Sequence, residues 1–232
     1  MRPVCDVIRE CCVALVACVV LLSLTGAAAA NGQVRVLTMG DSMMATHKSS
    51  KKAVSHAMRQ QLGVSVVDRS ASGARMIYRL PISGSLGLSI PKQFRPGQWD
   101  WIVLNGGGND LLLGCGCRRC DAKMNQLIAN DGRSGEIPKL IQKLRRTGAQ
   151  VVYVGYLRSP GAGSVIERCR DEGDLLESRI TAYAAKDSGV HFVSLADMVK
   201  RGDRSLHEAD MVHPSPKGSR EIARRIGQVI LQ

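Results

Sequence analysis

Three short stretches carry side chains that could do covalent chemistry together: Gly40-Asp41-Ser42, Gly107-Gly108-Asn109-Asp110 and Asp210-Met211-Val212-His213. A serine hydroxyl becomes a nucleophile when a base takes its proton, an acid holds that base in the right tautomer, and N–H donors receive the developing oxyanion. The Asp210-x-x-His213 spacing suits the first two needs, because within one turn the carboxylate can reach Nδ1–H while Nε2 faces outward. Singly, each stretch has a plainer reading. Gly-Asp-Ser can be a turn with a helix N-cap, Gly106 to Gly108 a tight loop, Asn109 a cap, and Asp-x-x-His a solvated surface pair. What raises them above those readings is where the surrounding elements put them.

Val34, Val36, Leu37 and Met39 form a short apolar run of the kind that makes a buried strand, and Gly40-Asp41 ends it just before Ser42. Residues 53–62 have helical spacing stopped by Gly63, and Val64 to Val67 is a second strand followed by the loop Asp68 to Gly73. Residues 77–98, rich in Pro and Gly, read as a long irregular connection with one helical turn near Ile90 to Phe94. Trp101 to Leu104 is a buried strand that runs straight into the second glycine-rich stretch. Helices follow over 135–147, 175–185 and 217–231, with strands at 151–154 and 190–195. The β-α alternation predicts a parallel sheet of about five strands with helices on both faces, a three-layer α/β/α sandwich of flavodoxin type. In such a sheet the loops after the strands share one rim, where ligands bind.

The chain has 232 residues with 32 Lys+Arg against 20 Asp+Glu. Arg2 and Arg9 ahead of the uncharged run Cys11 to Leu24, with Ala27 to Ala30 after it, read as a removable export leader over residues 1–30. Membrane association is expected only if that segment stays uncleaved as an anchor. Residues 31–232 then form one domain. The leader holds two basic and two acidic residues, so the net charge of +12 stays with the domain. Such a charge favours anionic surroundings. Nucleic acid is discounted, since the cations are scattered and only two Trp, four Tyr and two Phe are present. Four cysteines remain beyond the leader, Cys115, Cys117, Cys120 and Cys169. A zinc site is the competing reading, but export favours two disulfides and no metal. A Cys115–Cys117 bridge would be strained, which leaves Cys169 paired with Cys115 or Cys117, and the other of those two with Cys120.

With its motifs in this order the chain resembles the SGNH or GDSL hydrolases along essentially its whole length beyond the leader. The family's G-D-S-L block is Gly40-Asp41-Ser42-Met43 here, with Met in place of Leu. The second-block glycine corresponds to Gly73, G-x-N-D to Gly107 through Asp110, and D-x-x-H to Asp210 and His213. The resemblance implies Ser42 as nucleophile, His213 as base and Asp210 as its orienting acid. It further implies an oxyanion hole of the Ser42 and Gly73 N–H groups and the Asn109 amide, with no cofactor. The expected activity is hydrolysis of an acyl ester, whether of a carbohydrate, a lipid or a thioester, by an exported periplasmic or secreted enzyme. An acyltransferase with the same triad and a non-catalytic polysaccharide-binding module are the alternatives. Arg75 and Arg158, with Arg79, are candidate contacts for an anionic substrate group. His47, His56, His191 and His207 show no evident partner in the sequence.

Overall fold

The structure, a computed structural model, describes residues 32–161 and 163–232; the proposed leader lies outside them. Five strands form one parallel sheet in the order β2-β1-β3-β4-β5, with β1 at Arg35–Met39, β2 at Ser65–Asp68, β3 at Trp101–Leu104, β4 at Gln150–Val154 and β5 at Val190–Val193. From β1 the chain crosses to β2 on one side, then returns past β1 to add β3 on the other. The carboxyl ends of β1 and β3 therefore splay their loops apart and leave a crevice between them.

Strand residues alternate between two cores, as the pleat requires. Val36, Val103, Val152 and Val154 face one side and meet Val54 and Met58 of α2 (Val54–Leu62) and Ile222 and Ile226 of α8 (Pro216–Ile230). Leu37, Met39, Ile102, Leu104, Val151 and Tyr153 face the other. There they are covered by α5 (Asp121–Leu127), α6 (Glu136–Arg145) and α7 (Arg170–Ala184). Each fully buried aliphatic of this kind stabilises the fold by about 1.5–3 kcal/mol. The expected stop holds, since Gly63 ends α2 in a left-handed conformation, and Ser215 opens α8 as its N-cap by accepting the Gly218 N–H.

Among the described residues the chain also forms four short α-helices of four to seven residues, of which the sequence predicts only one. Ser42 opens a single turn, α1 (Ser42–Ala45), and the expected turn near Ile90 is α3 (Ile90–Gln93). A helix α4 spans Gly108–Gly114, and both it and α5 escape periodicity because they are seven residues long. In α4 the run Leu111-Leu112-Leu113 is continuous in sequence yet goes from buried to 57% exposed within one turn. Helix α7 starts five residues before its expected bound. Its first turn carries Asp171 and Glu172, which suit a helix N-terminus but add no apolar period.

Two disulfides are formed, Cys115–Cys120 and Cys117–Cys169. The second ties the end of α4 to the residue that precedes α7. Loop-closure entropy grows with the length of chain enclosed, and the sequence separations are 5 and 52 residues. A C117S/C169S variant should therefore lose about 4 kcal/mol of unfolding free energy and C115S/C120S about 2. Urea denaturation of the two variants checks this, and equal losses would contradict it.

Candidate active site

The turn after β1 is built so that Ser42 projects from the rim. Asp41 caps α1 with its side chain, Oδ1 accepting the Met43 N–H at 2.9 Å. Gly40 has φ 154°, and a Cβ there would lie 3.0 Å from the Asn105 carbonyl oxygen, so only glycine lets the turn lie this close to the end of β3. Gln93 of α3 brackets the same glycine: its Oε1 accepts the Gly40 N–H at 2.7 Å and its Nε2 donates to the Gly40 carbonyl at 2.9 Å. The Ser42 N–H has no acceptor among the described residues, and neither has the Gly73 N–H.

Beyond β3, Gly108 and Asn109 begin α4. The Asn109 amide donates one N–H to the Ala74 carbonyl at 3.0 Å, which fixes its nitrogen toward the loop that contains Gly73 and leaves the second N–H to a ligand. Asp110 holds that loop from the other direction, its two carboxylate oxygens accepting the Met76 and Ile77 N–H groups at 2.9 Å each. The turns after β1 and β3 are joined by Tyr156, just past β4. Its hydroxyl donates to Asp41 Oδ2 at 2.6 Å and accepts the Gly108 N–H at 2.9 Å. A Cβ on Gly108 would collide with the Tyr156 ring.

In the loop between β5 and α8, Asp210 Oδ2 lies 2.6 Å from His213 Nδ1. Asp210 Oδ1 accepts the Val212 and His213 N–H groups at 2.9 and 3.0 Å. Partial burial pushes the Asp210 carboxyl up, but these hydrogen bonds and the neighbouring imidazole outweigh it and hold the group below the usual range. The loop is moored to the first turn: His47 Nε2 is 2.9 Å from Glu208 Oε1, and the Glu208 N–H donates to the His213 carbonyl at 2.8 Å. Lys48 then reaches the Ser70 carbonyl at 2.7 Å and Asp68 at 3.3 Å. His47 thus has a partner across 161 residues of sequence. His191 meets Gln150 and the Trp101 ring, and His56 lies 3.5 Å from the Ser55 hydroxyl. His207 is buried, and among the described residues neither of its ring nitrogens has a partner.

Ser42, Asn109 and His213 line one cleft of ≈ 810 Å³, part of it open to solvent, with Asp210 behind the imidazole. Its walls are largely apolar, formed by Met43, Leu111, Leu112, Leu157, Ile166 and Leu176. Cys169 and Tyr156 also line it, so both the longer disulfide and the shared hydroxyl shape its wall. Gly73 is not among the lining residues; its neighbour Ala74 receives the Asn109 amide. Arg158 lines the cleft, but its guanidinium is held by Asp174 at 2.6 Å and Glu177 at 2.7 Å, so two carboxylates already balance its charge. Arg75 and Arg79 lie outside the cleft lining. Gln93, Tyr156 and Glu208 had no signal in the sequence, since each is a single polar residue whose partner is remote.

A family model described as the GDSL-like lipase/acylhydrolase family matches residues 38–221. Solved structures similar to the chain include a carbohydrate acetylesterase family member from Sinorhizobium meliloti, 13% identical, covering 85% of this chain and 97% of that one with a TM-score of 0.59. The lipase Lip_vut3 from a goat rumen metagenome is 16% identical, covering 85% and 98% with a TM-score of 0.59. A GDSL-like lipase from Bacteroides thetaiotaomicron is 18% identical, covering 85% and 87% with a TM-score of 0.58. At these identities the likeness is one of fold. No curated protein matches the chain.

Burial pushes the Asp41 carboxyl up to about 6, although the Tyr156 hydroxyl and the Met43 N–H pull it down. A carboxyl whose native value lies above its unfolded value binds its proton more tightly when folded, so its contribution to stability falls as pH rises from about 4 to about 6. Asp41→Asn keeps a good helix cap and removes only the charge. Relative to this variant, the wild type should lose about 3 kcal/mol of stability between pH 4 and pH 7. Urea unfolding of both proteins at the two pH values measures it; a difference that does not change with pH would show that Asp41 does not titrate there.

Proposed function

The chain belongs to the GDSL-like lipase/acylhydrolase family, and from that premise we propose that it is an exported serine esterase that cleaves acyl esters through an acyl-enzyme on Ser42. The observation that carries this reading is the 2.6 Å Asp210–His213 contact beside a cleft that also holds Ser42 and Asn109. His213 Nε2 takes the Ser42 proton as Oγ attacks the acyl carbonyl, and Asp210 keeps the proton on Nδ1 so that Nε2 is the basic nitrogen. The resulting oxyanion is received by the Ser42 N–H and the free N–H of Asn109 in the cleft, with the Gly73 N–H, in the adjoining loop, as the third donor that the family resemblance implies. Collapse breaks the ester C–O bond, and His213 returns its proton to the departing alkoxide. Water then attacks the acyl-serine with the same imidazole as base, releasing the acid and restoring Ser42.

The apolar cleft walls support an aliphatic acyl chain, in a lipid, a thioester or an acylated sugar, as the group held beside Ser42. Proteins of similar fold include one described as a carbohydrate acetylesterase family member and one as a lipase, so the fold accommodates both kinds of ester. Export is supported by the leader-like residues 1–30 and by the two disulfides.

Ser42→Ala should abolish release of p-nitrophenol from short-chain acyl esters while leaving the urea midpoint unchanged, because the hydroxyl makes no hydrogen bond among the described residues. Full activity in that variant would rule out the mechanism. Asn109→Ala should lower kcat on the order of 10²–10³ for one lost oxyanion donor. Asp210→Asn should cost on the order of 10³–10⁴ in kcat by favouring the wrong tautomer. An Asp210→Asn variant as fast as the wild type would contradict the assignment of the orienting acid.

A further inference from the structure

The excursion from β2 to β3 displays apolar side chains that the fold does not need. Leu80, Ile82 and Leu86 are 64%, 78% and 81% exposed. Lone exposed aliphatics are ordinary, but three within seven residues are a patch. They do not dangle. The helical turn Pro81–Ser83 and the wider turn Gly84–Leu88 that carry them are braced by Tyr78, whose hydroxyl lies 2.9 Å from the Ser83 hydroxyl. The Gln93 amide adds a hydrogen bond to the Gly87 carbonyl at 2.8 Å.

Charge points to what covers the patch. Between Asp68 and Asp100 the sequence contains Arg69, Arg75, Arg79, Lys92 and Arg95 and not one carboxylate. Three of these, Arg79, Lys92 and Arg95, are exposed. Lys92 extends its ammonium to within 3.4 Å of the Pro81 carbonyl, beside Ile82, and Arg95 is hydrogen-bonded to the Lys92 carbonyl at 3.2 Å. Aliphatic tips ringed by cations fit a surface that is apolar within and anionic at its face, because the tips bury among acyl chains while the cations stay at headgroup level. Among the described residues no helix is long and apolar enough to cross a membrane, so the contact would be peripheral.

From the exposed Leu80, Ile82 and Leu86 on a braced turn surrounded by Arg79, Lys92 and Arg95, we propose that this excursion docks the protein onto an anionic lipid bilayer. It stands apart from the assignment of Ser42, although Gln93 joins the same excursion to Gly40, two residues from that serine.

The test places a reporter at the patch in the full chain, so that attachment through residues 1–30 cannot imitate the result. A Leu86→Trp variant is mixed with vesicles of equal parts phosphatidylglycerol and phosphatidylcholine brominated in the acyl chains. Its emission should shift to the blue and be quenched beyond that of the wild-type protein, whose own Trp99 and Trp101 set the baseline. The extra quenching should disappear with phosphatidylcholine alone, at high salt, and when Arg79→Glu, Lys92→Glu and Arg95→Glu are added. No quenching beyond the wild type overturns the proposal, and so does equal quenching on neutral vesicles. A concentration-dependent blue shift without lipid overturns it in favour of a second copy of the chain as the occupant.

Discussion

The Tyr156 hydroxyl is shared between the Asp41 carboxylate, 2.6 Å away, and the Gly108 N–H at 2.9 Å, and the cleft depends on that sharing. At the switch point of the sheet the turns after β1 and β3 part, so nothing in the backbone ladder keeps them in register with each other. A phenol supplied by the strand beyond β3 does so, acting as donor to one turn and acceptor for the other. Its burial makes the arrangement rigid, because each partner would otherwise be a desolvated polar group without a hydrogen bond. The same burial pushes the phenol's own ionisation upward and keeps it a donor.

Around this bridge the fold uses long side chains to replace missing backbone pairing. Gln93 brackets Gly40, Asp110 grips Met76 and Ile77, and His47 and Lys48 link the first turn to the loops after β5 and β2. Asp110 is also pushed up by burial, with the two N–H donors drawing it partly back. Two buried carboxylates this near the nucleophile are tolerable because hydrogen-bond donors, which cannot drift as solvent does, meet each of them. Such fixed dipoles are also what a developing oxyanion requires.

The sheet was legible in the sequence because its strands are short β-branched or apolar runs ended by Gly, Asn or Asp, and because strand and helix alternate. Asp210 and His213 were legible because their partnership is local, three residues apart. The braces were not: Tyr156 to Asp41 spans 115 residues and Gln93 to Gly40 spans 53, and no local pattern encodes such pairs. The partners of Arg158 are remote in the same way. Its loop placed it on the right rim, but only the approach of α7, bringing Asp174 and Glu177, decides that its charge is consumed within the protein. The disulfide alternatives left open by the Cys-x-Cys spacing are closed by the turn after α4, which directs Cys117 toward Cys169 and leaves Cys115 to Cys120.

The distance in sequence between the parts of the site bears on how it comes into being. The His47–Glu208 contact closes 161 residues of chain, and every strand in the sheet is parallel to its neighbour. Loops of that length are closed late, since their entropy is lost before any contact compensates for it. By that argument Ser42 can be in place on its turn while the imidazole is still unattached. Recovery of turnover during refolding should coincide with the slowest structural phase, which makes the enzyme's own reaction a reporter of its last folding step.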